Sequence, residues 1–353
     1  MLILRRGRAS VLVESDLATE AWVRMRSERF FEMSVSVDAA CSWSVAGGVE
    51  HAPPAEDYVR HEIRYDSGEH CDVLISLTRR VLAVDLPPGP WRSVYVLRAV
   101  RNLLRWQLQA QSNPVFLHGA GLMHEPTGKG ICLIGPSLAG KSTLSLALLG
   151  PCWGWVSQDD LCVVEMPLGS WMLLGWPGSL RLRRDALALF PSFAAKEFTF
   201  THPANRLEAK PSVTNSRLHI FPEELSRALG CPIRGEAPVC AIAVLDPESE
   251  DDDLRPLSPE EITDALFQAW DVLPERRAGR RVADVFAGRR DWSNLPFFPL
   301  LLEYFGLPNI EVIEQKLTAL ASAVPGWRVS RHTLLRSTGV GQGFWQSSDG
   351  HRK

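Results

Sequence analysis

Residues 131–143 read Ile-Cys-Leu-Ile-Gly-Pro-Ser-Leu-Ala-Gly-Lys-Ser-Thr, an apolar run leading into the spacing G-x-x-x-x-G-K-[ST]. The apolar stretch 144–149 follows directly. A strand over 131–134 that turns at Gly135 presents successive backbone N–H groups. A helix beginning near Lys141 aims the positive end of its dipole into the same loop. That combination cradles phosphate. Lys141 would reach the β- and γ-phosphates of a nucleotide, and the Ser142 hydroxyl would ligate Mg²⁺. Gly135, Pro136, Ser137, Leu138, Ala139, Gly140, Lys141, Ser142 and Thr143 are therefore the expected nucleotide-contacting residues. A glycine-rich strand–helix turn that holds no ligand is the alternative, and the apolar flanks weigh against it.

Transfer of a phosphoryl group needs metal ligands, a base and cations besides the loop. Asp159-Asp160, seventeen residues beyond Thr143 at its second member, is the best supply of carboxylates. It follows the apolar run 153–157 by one residue and precedes another, so the sequence places it at a strand end. Adjacent carboxylates repel each other unless a cation or a shared proton relieves them. One would hold Mg²⁺ and one would act as base, with either assignment open; a solvated turn is the rival reading. His118 lies in an apolar stretch and reads equally as a packed core residue or as a catalyst. Arg181, Arg183 and Arg184 flank an alternating strand and read as a solvent face. Lys210 and Arg206, in the polar stretch 196–217, are candidate phosphate or acceptor clamps from a loop whose simpler reading is a solvated connection.

The elements that must position these groups follow from pattern. Val115 to Met123, a polar turn at 125–130 and the strand at 131–134 read as an antiparallel hairpin. With the turn centred near Thr127, His118 falls across from residues 135–136, at the mouth of the loop. Strands are expected near 153–156, 161–166, 170–174 and 180–183, with a helix from Arg184. A buried strand spans 240–245, and helices lie near 258–273 and 310–323. Residues 246–253 (Asp-Pro-Glu-Ser-Glu-Asp-Asp-Asp) read as an exposed acidic turn. Upstream, strand-like runs at 31–45, 58–65 and 73–84 alternate with Gly and Pro turns, and 94–110 repeats at helical spacing.

The chain has 353 residues, room for about two cores. The reading is a β-rich N-terminal domain over 1–111, a catalytic domain over 112–336 and a disordered tail over 337–353. Hydrophobic content of 45% and charged content of 22% suit a globular protein, and a net charge of −3 gives no basic surface for nucleic acid or anionic membrane. Seven cysteines, odd in number and without a C-x-x-C pair, indicate buried thiols of a reducing compartment. With no signal-like N-terminus and no apolar run long enough to span a bilayer, a cytoplasmic location is expected.

Phe116-Leu117-His118-Gly119, the hairpin, the loop 135–143 and Val156-Ser157-Gln158-Asp159-Asp160-Leu161 together resemble the HPr serine kinase/phosphorylase superfamily. The likeness is greatest to the HPr-kinase-related enzymes of peptide natural-product clusters, including lasso-peptide serine kinases. It covers about 112–165 and continues more loosely through 178–183, 239–245 and 324–329. The resemblance implies an α/β P-loop kinase domain of the HPr kinase/phosphoenolpyruvate carboxykinase type, with a smaller β-rich α+β domain before it. It also implies ATP and Mg²⁺ as cofactors, a hydroxyl acceptor (a serine of a peptide, or a small molecule), and self-association. By that likeness His118, Asp159 and Asp160 stand at the reaction centre. Three departures stand out. Leu138 occupies the place of a loop glycine, Thr143 replaces the acidic residue of the bifunctional enzymes, and the glycine-rich HPr-binding signature is absent. Reverse phosphorolysis and HPr itself are thus not expected.

Two other function classes compete. The run Cys240-Ala241-Ile242-Ala243-Val244-Leu245-Asp246 resembles a Walker B strand, which would suit an NTPase switch whose only acceptor is water; an Asp-Pro turn opener is the simpler reading of Asp246. Leu138 suggests the third class, a silent nucleotide sensor.

Overall fold

The structure, a computed structural model, describes residues 1–35, 41–54, 56–64, 70–111, 114–136, 138–183, 186, 189–190, 200–206, 217–247, 254–270, 304–305 and 309–330. The chain divides into two compact units. The first comprises Met1–Asn113 with His202–Glu208 and Glu275–Pro308; the second comprises Pro114–Thr201, Ala209–Pro274 and Asn309–Lys353.

In the first unit, β1 (Leu2–Arg6) and β2 (Ala9–Ser15) form a hairpin followed by α1 (Leu17–Ser27), β3 (Glu32–Ser34) and β4 (Trp43–Gly47). Then come β5 (Val59–Arg64), β6 (His70–Ser76), β7 (Val81–Asp85) and the long helix α2 (Pro90–Ala110). The strands make one sheet in the order β3-β1-β2-β4-β7-β6-β5, parallel only across β2–β4 and β4–β7. Helix α2 opens with Pro90 at its first turn and lies against β2, β4 and β7. Helix α1 is capped by Asp16, whose carboxylate accepts from the Thr19 backbone N–H at 2.9 Å. The helical pattern at 94–110 therefore starts four residues earlier than its apolar repeat. Strands β1 and β2 agree with the β-like runs read over residues 1–90, whereas helix α1 was not expected. The buried side of α1 consists of Thr19, Val23, Arg26 and Ser27, a stripe with one apolar member, so hydrophobic periodicity does not reveal it. The expected run 31–45 resolves into β3 and β4.

The second unit begins with β8 (Val115–His124), β9 (Lys129–Ile134), α3 (Lys141–Leu148), β10 (Trp153–Glu165) and β11 (Trp171–Leu174). It continues with β12 (Leu180–Arg183), β13 (Arg217–Ile220), α4 (Pro222–Leu229) and β14 (Glu236–Asp246). It ends with β15 (Arg255–Leu257), α5 (Pro259–Ala269), α6 (Ile310–Ala323) and β16 (Gly326–Ser330). The main sheet runs β11-β10-β8-β9-β14-β16-β15, and an added β11–β14 pairing closes β8, β9, β10, β11 and β14 into a five-stranded barrel. Strand β14 is parallel to β9 and β16; β12 and β13 form a separate ribbon.

The hairpin register has Gly119 facing Ile134, so His118 stands level with Gly135. Where two strands were expected at 153–156 and 161–166, a single thirteen-residue β10 runs through, with an irregularity between Trp155 and Ser157. Asp159-Asp160 therefore lies in mid-strand rather than at a strand end. The polar run Ser-Gln-Asp-Asp looked like an interruption, but tertiary pairing with β8 carries the strand through it. The expected helix from Arg184, most of the acidic turn 246–253 and the tail from Ser337 lie outside the described residues. Among those residues no helix is long and apolar enough to cross a membrane.

A five-stranded barrel has little interior room, and in this one two leucines pack against glycines. A Cβ on Gly119 would stand 3.0 Å from a Leu161 methyl, and one on Gly121 would stand 2.9 Å from the other. A Cβ on Gly130 would meet the Pro238 carbonyl at 2.6 Å and Leu173 at 3.2 Å. Leu161 and Leu173 are both fully buried. Gly121→Ala should cost about 1–3 kcal/mol through overpacking, and Leu161→Ala about 2–5 kcal/mol through the cavity it leaves. The double variant should cost less than the sum, because the new methyl enters space that Leu161 vacates. Urea unfolding of the four proteins measures all three quantities.

Candidate functional site

Strand β9 delivers the chain to Gly135, which has φ 150° and no room for a side chain: a Cβ would lie 2.7 Å from the Leu245 carbonyl of β14. The loop then turns through Leu138 at φ 68° to Gly140, left-handed at φ 97°, and α3 starts at Lys141. Ala139 is buried and its N–H donates to the Pro136 carbonyl at 3.3 Å. Leu138 is 72% exposed and touches no core that would compensate its strained backbone. The cap residue of α3, Gly140, has no side chain to cap the helix, and none of the described residues supplies a cap hydrogen bond there. Ser137 lies outside the described residues.

Lys141 is only 6% exposed. Its ammonium donates back to the loop, to the Gly135 carbonyl at 2.8 Å and the Pro136 carbonyl at 2.9 Å. Burial pushes its pKa below the ordinary lysine value, and the nearby charge of Asp159 opposes that shift. The loop thus encloses a desolvated cation with a carboxylate in electrostatic range.

Residue Gln158, 1% exposed on β10, ties this helix to the carboxylate strand. Its amide N–H donates to the Ser142 hydroxyl at 3.0 Å, and its carbonyl accepts from the Ser145 hydroxyl at 3.4 Å. Ser145 also donates to the Lys141 carbonyl at 2.9 Å. Two serines one helical turn apart thereby meet both ends of one amide. Immediately after Gln158, Asp159 adopts φ 65° and faces Gly119 across the β8–β10 ladder. Aspartate tolerates that left-handed conformation better than most residues. Its carboxylate pairs with the Arg181 guanidinium of β12 at 3.5 Å. Asp160 lies opposite His118, so the ladder brings these two side chains to one face. Asp159 and Asp160 are half-buried in a strand otherwise buried from Trp153 to Val163, and His118 is half-buried as well.

Asp246 is the last residue of β14 before the turn at Pro247, so the strand-end and turn-opener readings both describe it. In the parallel register Val244 faces Ile134, which sets Asp246 level with Pro136 of the loop. Its carboxylate pairs with Arg328 of β16 at 3.7 Å. Arg206 closes a short 3₁₀ helix, Pro203–Arg206, assigned to the first unit. Lys210 lies outside the described residues.

Two residues of this arrangement were not anticipated. Arg181 was read as part of a solvent face; it is half in solvent but pairs with Asp159. Gln158 was passed over, although an amide directly before paired carboxylates, opposite a helix bearing Ser142 and Ser145, was a usable signal. Among the described residues no three or more His, Cys, Asp and Glu side chains cluster as a metal site. A hard divalent ion here would have Ser142 and one or both of Asp159 and Asp160, with the remaining oxygens coming from a bound phosphate and water. The donors present fit such a pair: an uncapped helix start, a buried ammonium and oxygen ligands only. No family model matches the chain, and no curated protein matches it in sequence.

The strain at Leu138 generates a stability prediction. Glycine in a regular element costs about 0.5–1 kcal/mol, but here it would relieve a left-handed leucine worth about 1–2 kcal/mol. Leu138→Gly should therefore leave the melting temperature unchanged or raise it by a few degrees. Differential scanning calorimetry decides; a clear drop would show that the leucine is not strained.

Proposed function

We propose that this chain is an ATP-dependent kinase that transfers the γ-phosphoryl group to a hydroxyl, that of a peptide serine or of a small molecule. The fold proposed for the second unit is of the HPr kinase/phosphoenolpyruvate carboxykinase type. The observation that carries the reading is the joining of loop and carboxylates: Gln158 bonds Ser142 directly while the next residue, Asp159, acts on the charge of Lys141. A phosphate cradle alone would suit any nucleotide binder; a carboxylate pair fixed beside it suits transfer.

In this reading the loop N–H groups and Lys141 bind the phosphates, the ammonium leaving the Gly135 and Pro136 carbonyls for phosphate oxygens. Mg²⁺, held by Ser142 and one carboxylate, would draw charge from the β- and γ-phosphates. The other carboxylate, Asp160 or Asp159, accepts the acceptor's hydroxyl proton as that oxygen bonds to the γ-phosphorus. The bond from the γ-phosphorus to the bridging oxygen breaks, and ADP leaves with the electron pair. His118, across from Asp160, would orient the acceptor or share its proton. Arg181 would hold Asp159 until a competing charge arrives.

The alternative, a switch that transfers phosphate only to water, draws on one observation: Asp246 ends the strand beside β9, level with the loop. The two readings separate by substitution. Asp159→Asn and Asp160→Asn should each lower transfer by about 10²–10⁴-fold while ATP still binds, and Asp246→Asn should change it little. Label from γ-labelled ATP incorporated into serine-containing peptides, counted beside label released as phosphate, measures this; the opposite ranking, with label released only as phosphate, would favour the switch.

A pH dependence follows as well. In the free protein Lys141 loses its proton below the ordinary lysine range, whereas bound phosphate would stabilise the charged form. Binding thus takes up a proton at alkaline pH, and affinity falls as pH rises. The limit is about tenfold per pH unit for one proton. Calorimetric titration in two buffers of different ionisation enthalpy counts that proton, and Lys141→Arg should abolish the uptake.

A further inference from the structure

Two arginines of the first unit have no acidic partner among the described residues: Arg8, between β1 and β2, and Arg80, just before β7. Both are exposed, and both line one open cleft of about 260 Å³ where β4 begins and α2 ends. The floor is aromatic. Trp43 is 2% exposed, with the Tyr304 ring edge-on at 5.3 Å and the Phe305 ring tilted at 5.8 Å. Gln111, at the end of α2, adds an amide to the rim. Gln107 beside it is fully engaged: its amide accepts from the Ser10 N–H at 3.0 Å and donates to the Ser10 carbonyl at 3.1 Å. That wall is therefore rigid.

Arg80 itself is unusual. It has φ 56°, a conformation that a turn would ordinarily fill with glycine or asparagine, and its carbonyl is pinned by the Ser44 N–H at 2.9 Å. A strained residue that carries a guanidinium into a cleft is a reason to look for what the guanidinium meets. The cleft lies just under the usual size of small-molecule sites, about 300–1,000 Å³, and suits one residue rather than a nucleotide. Guanidinium forks match carboxylates in two-point geometry, and the aromatic floor accepts an apolar side group beside them.

We propose that this cleft binds a carboxylate that carries an aromatic or aliphatic side group about the size of one amino-acid residue. Two sources share that chemistry, the C-terminal residue of a peptide and a free acid. The site is independent of the nucleotide reading, since none of its residues belongs to the second unit.

The test is calorimetric titration of the full chain with N-acetyl-phenylalanine, its amide, the peptide Ala-Ala-Ala-Phe and the amidated peptide. The free acids should bind, and the amides should bind at least about tenfold more weakly, as expected for a lost charge-assisted pair. A tighter peptide than single residue identifies a C-terminal source; equal affinities identify a free acid. Arg8→Gln and Arg80→Gln should each weaken binding by about tenfold, while Arg79→Gln, on the same turn but outside the cleft, should not. Arg80→Gly suits the left-handed backbone, so it should keep or raise the melting temperature and still lose the ligand. The proposal is overturned by equal binding of acid and amide, by displacement with equimolar inorganic phosphate, or by no binding at about 10 mM acid. It is also overturned if the arginine variants only lower the melting temperature, which would assign both guanidiniums to the negative end of α2.

Discussion

The second unit is organised around a barrel too narrow for ordinary side chains. Leu161 and Leu173 occupy its interior, and Gly119, Gly121 and Gly130 give way to them. Because side chains alternate along a strand, a one-residue slip of β10 on β8 would turn Leu161 outward and bring a charged neighbour inward. The packing therefore fixes the register, and the register fixes the site: Asp160 opposite His118, Asp159 opposite Gly119, and Gly119 opposite the last residue of β9. The register of the charged groups is thus set by apolar packing in the barrel.

Charge in this region is compensated locally. Lys141 is buried at an energetic cost that its two loop carbonyls and the field of Asp159 offset. Asp159 is compensated in turn by Arg181, across a 3.5 Å contact with one side in solvent. Such an exposed pair is worth little by itself, about 0–1 kcal/mol. Gln158 satisfies the hydroxyls of Ser142 and Ser145 with one buried amide.

Much of this site was legible before any coordinates. The loop motif, the hairpin and the level of His118 follow from turn chemistry and strand period, both local rules. What escaped depends on distant parts of the chain. Strand β10 looked broken because Ser157, Gln158, Asp159 and Asp160 are polar, yet Gln158 finds its partners on α3 and Asp159 finds Arg181 on β12, beyond any pattern within the strand. Helix α1 escaped because its buried face is Thr19, Arg26 and Ser27 around Val23. Buried polar groups carry no hydrophobic period, and both omissions are of that kind. Closure of the barrel through β11–β14 was equally invisible, since a three-residue pairing leaves no periodic signature.

The loop's own hydrogen bonds set what a guest must displace. Lys141 closes the loop upon itself through the Gly135 and Pro136 carbonyls, which engage two of its three donors. A neutral guest would have to displace two hydrogen bonds to a charged donor and could return only weaker ones. An anion would return charge-assisted bonds and would also meet the first turn of α3, whose cap residue is the glycine Gly140. Under the proposed nucleotide binding, the self-closure would subtract from the affinity of every ligand but most from uncharged ones, so the loop would select for charge. Leu138 does not share in this exchange: it is exposed, its strain comes from its own Cβ, and that strain persists whether the lysine faces carbonyl or phosphate. That selection would belong to Lys141, Gly135 and Gly140, and the leucine would be a constant burden on stability that leaves it untouched.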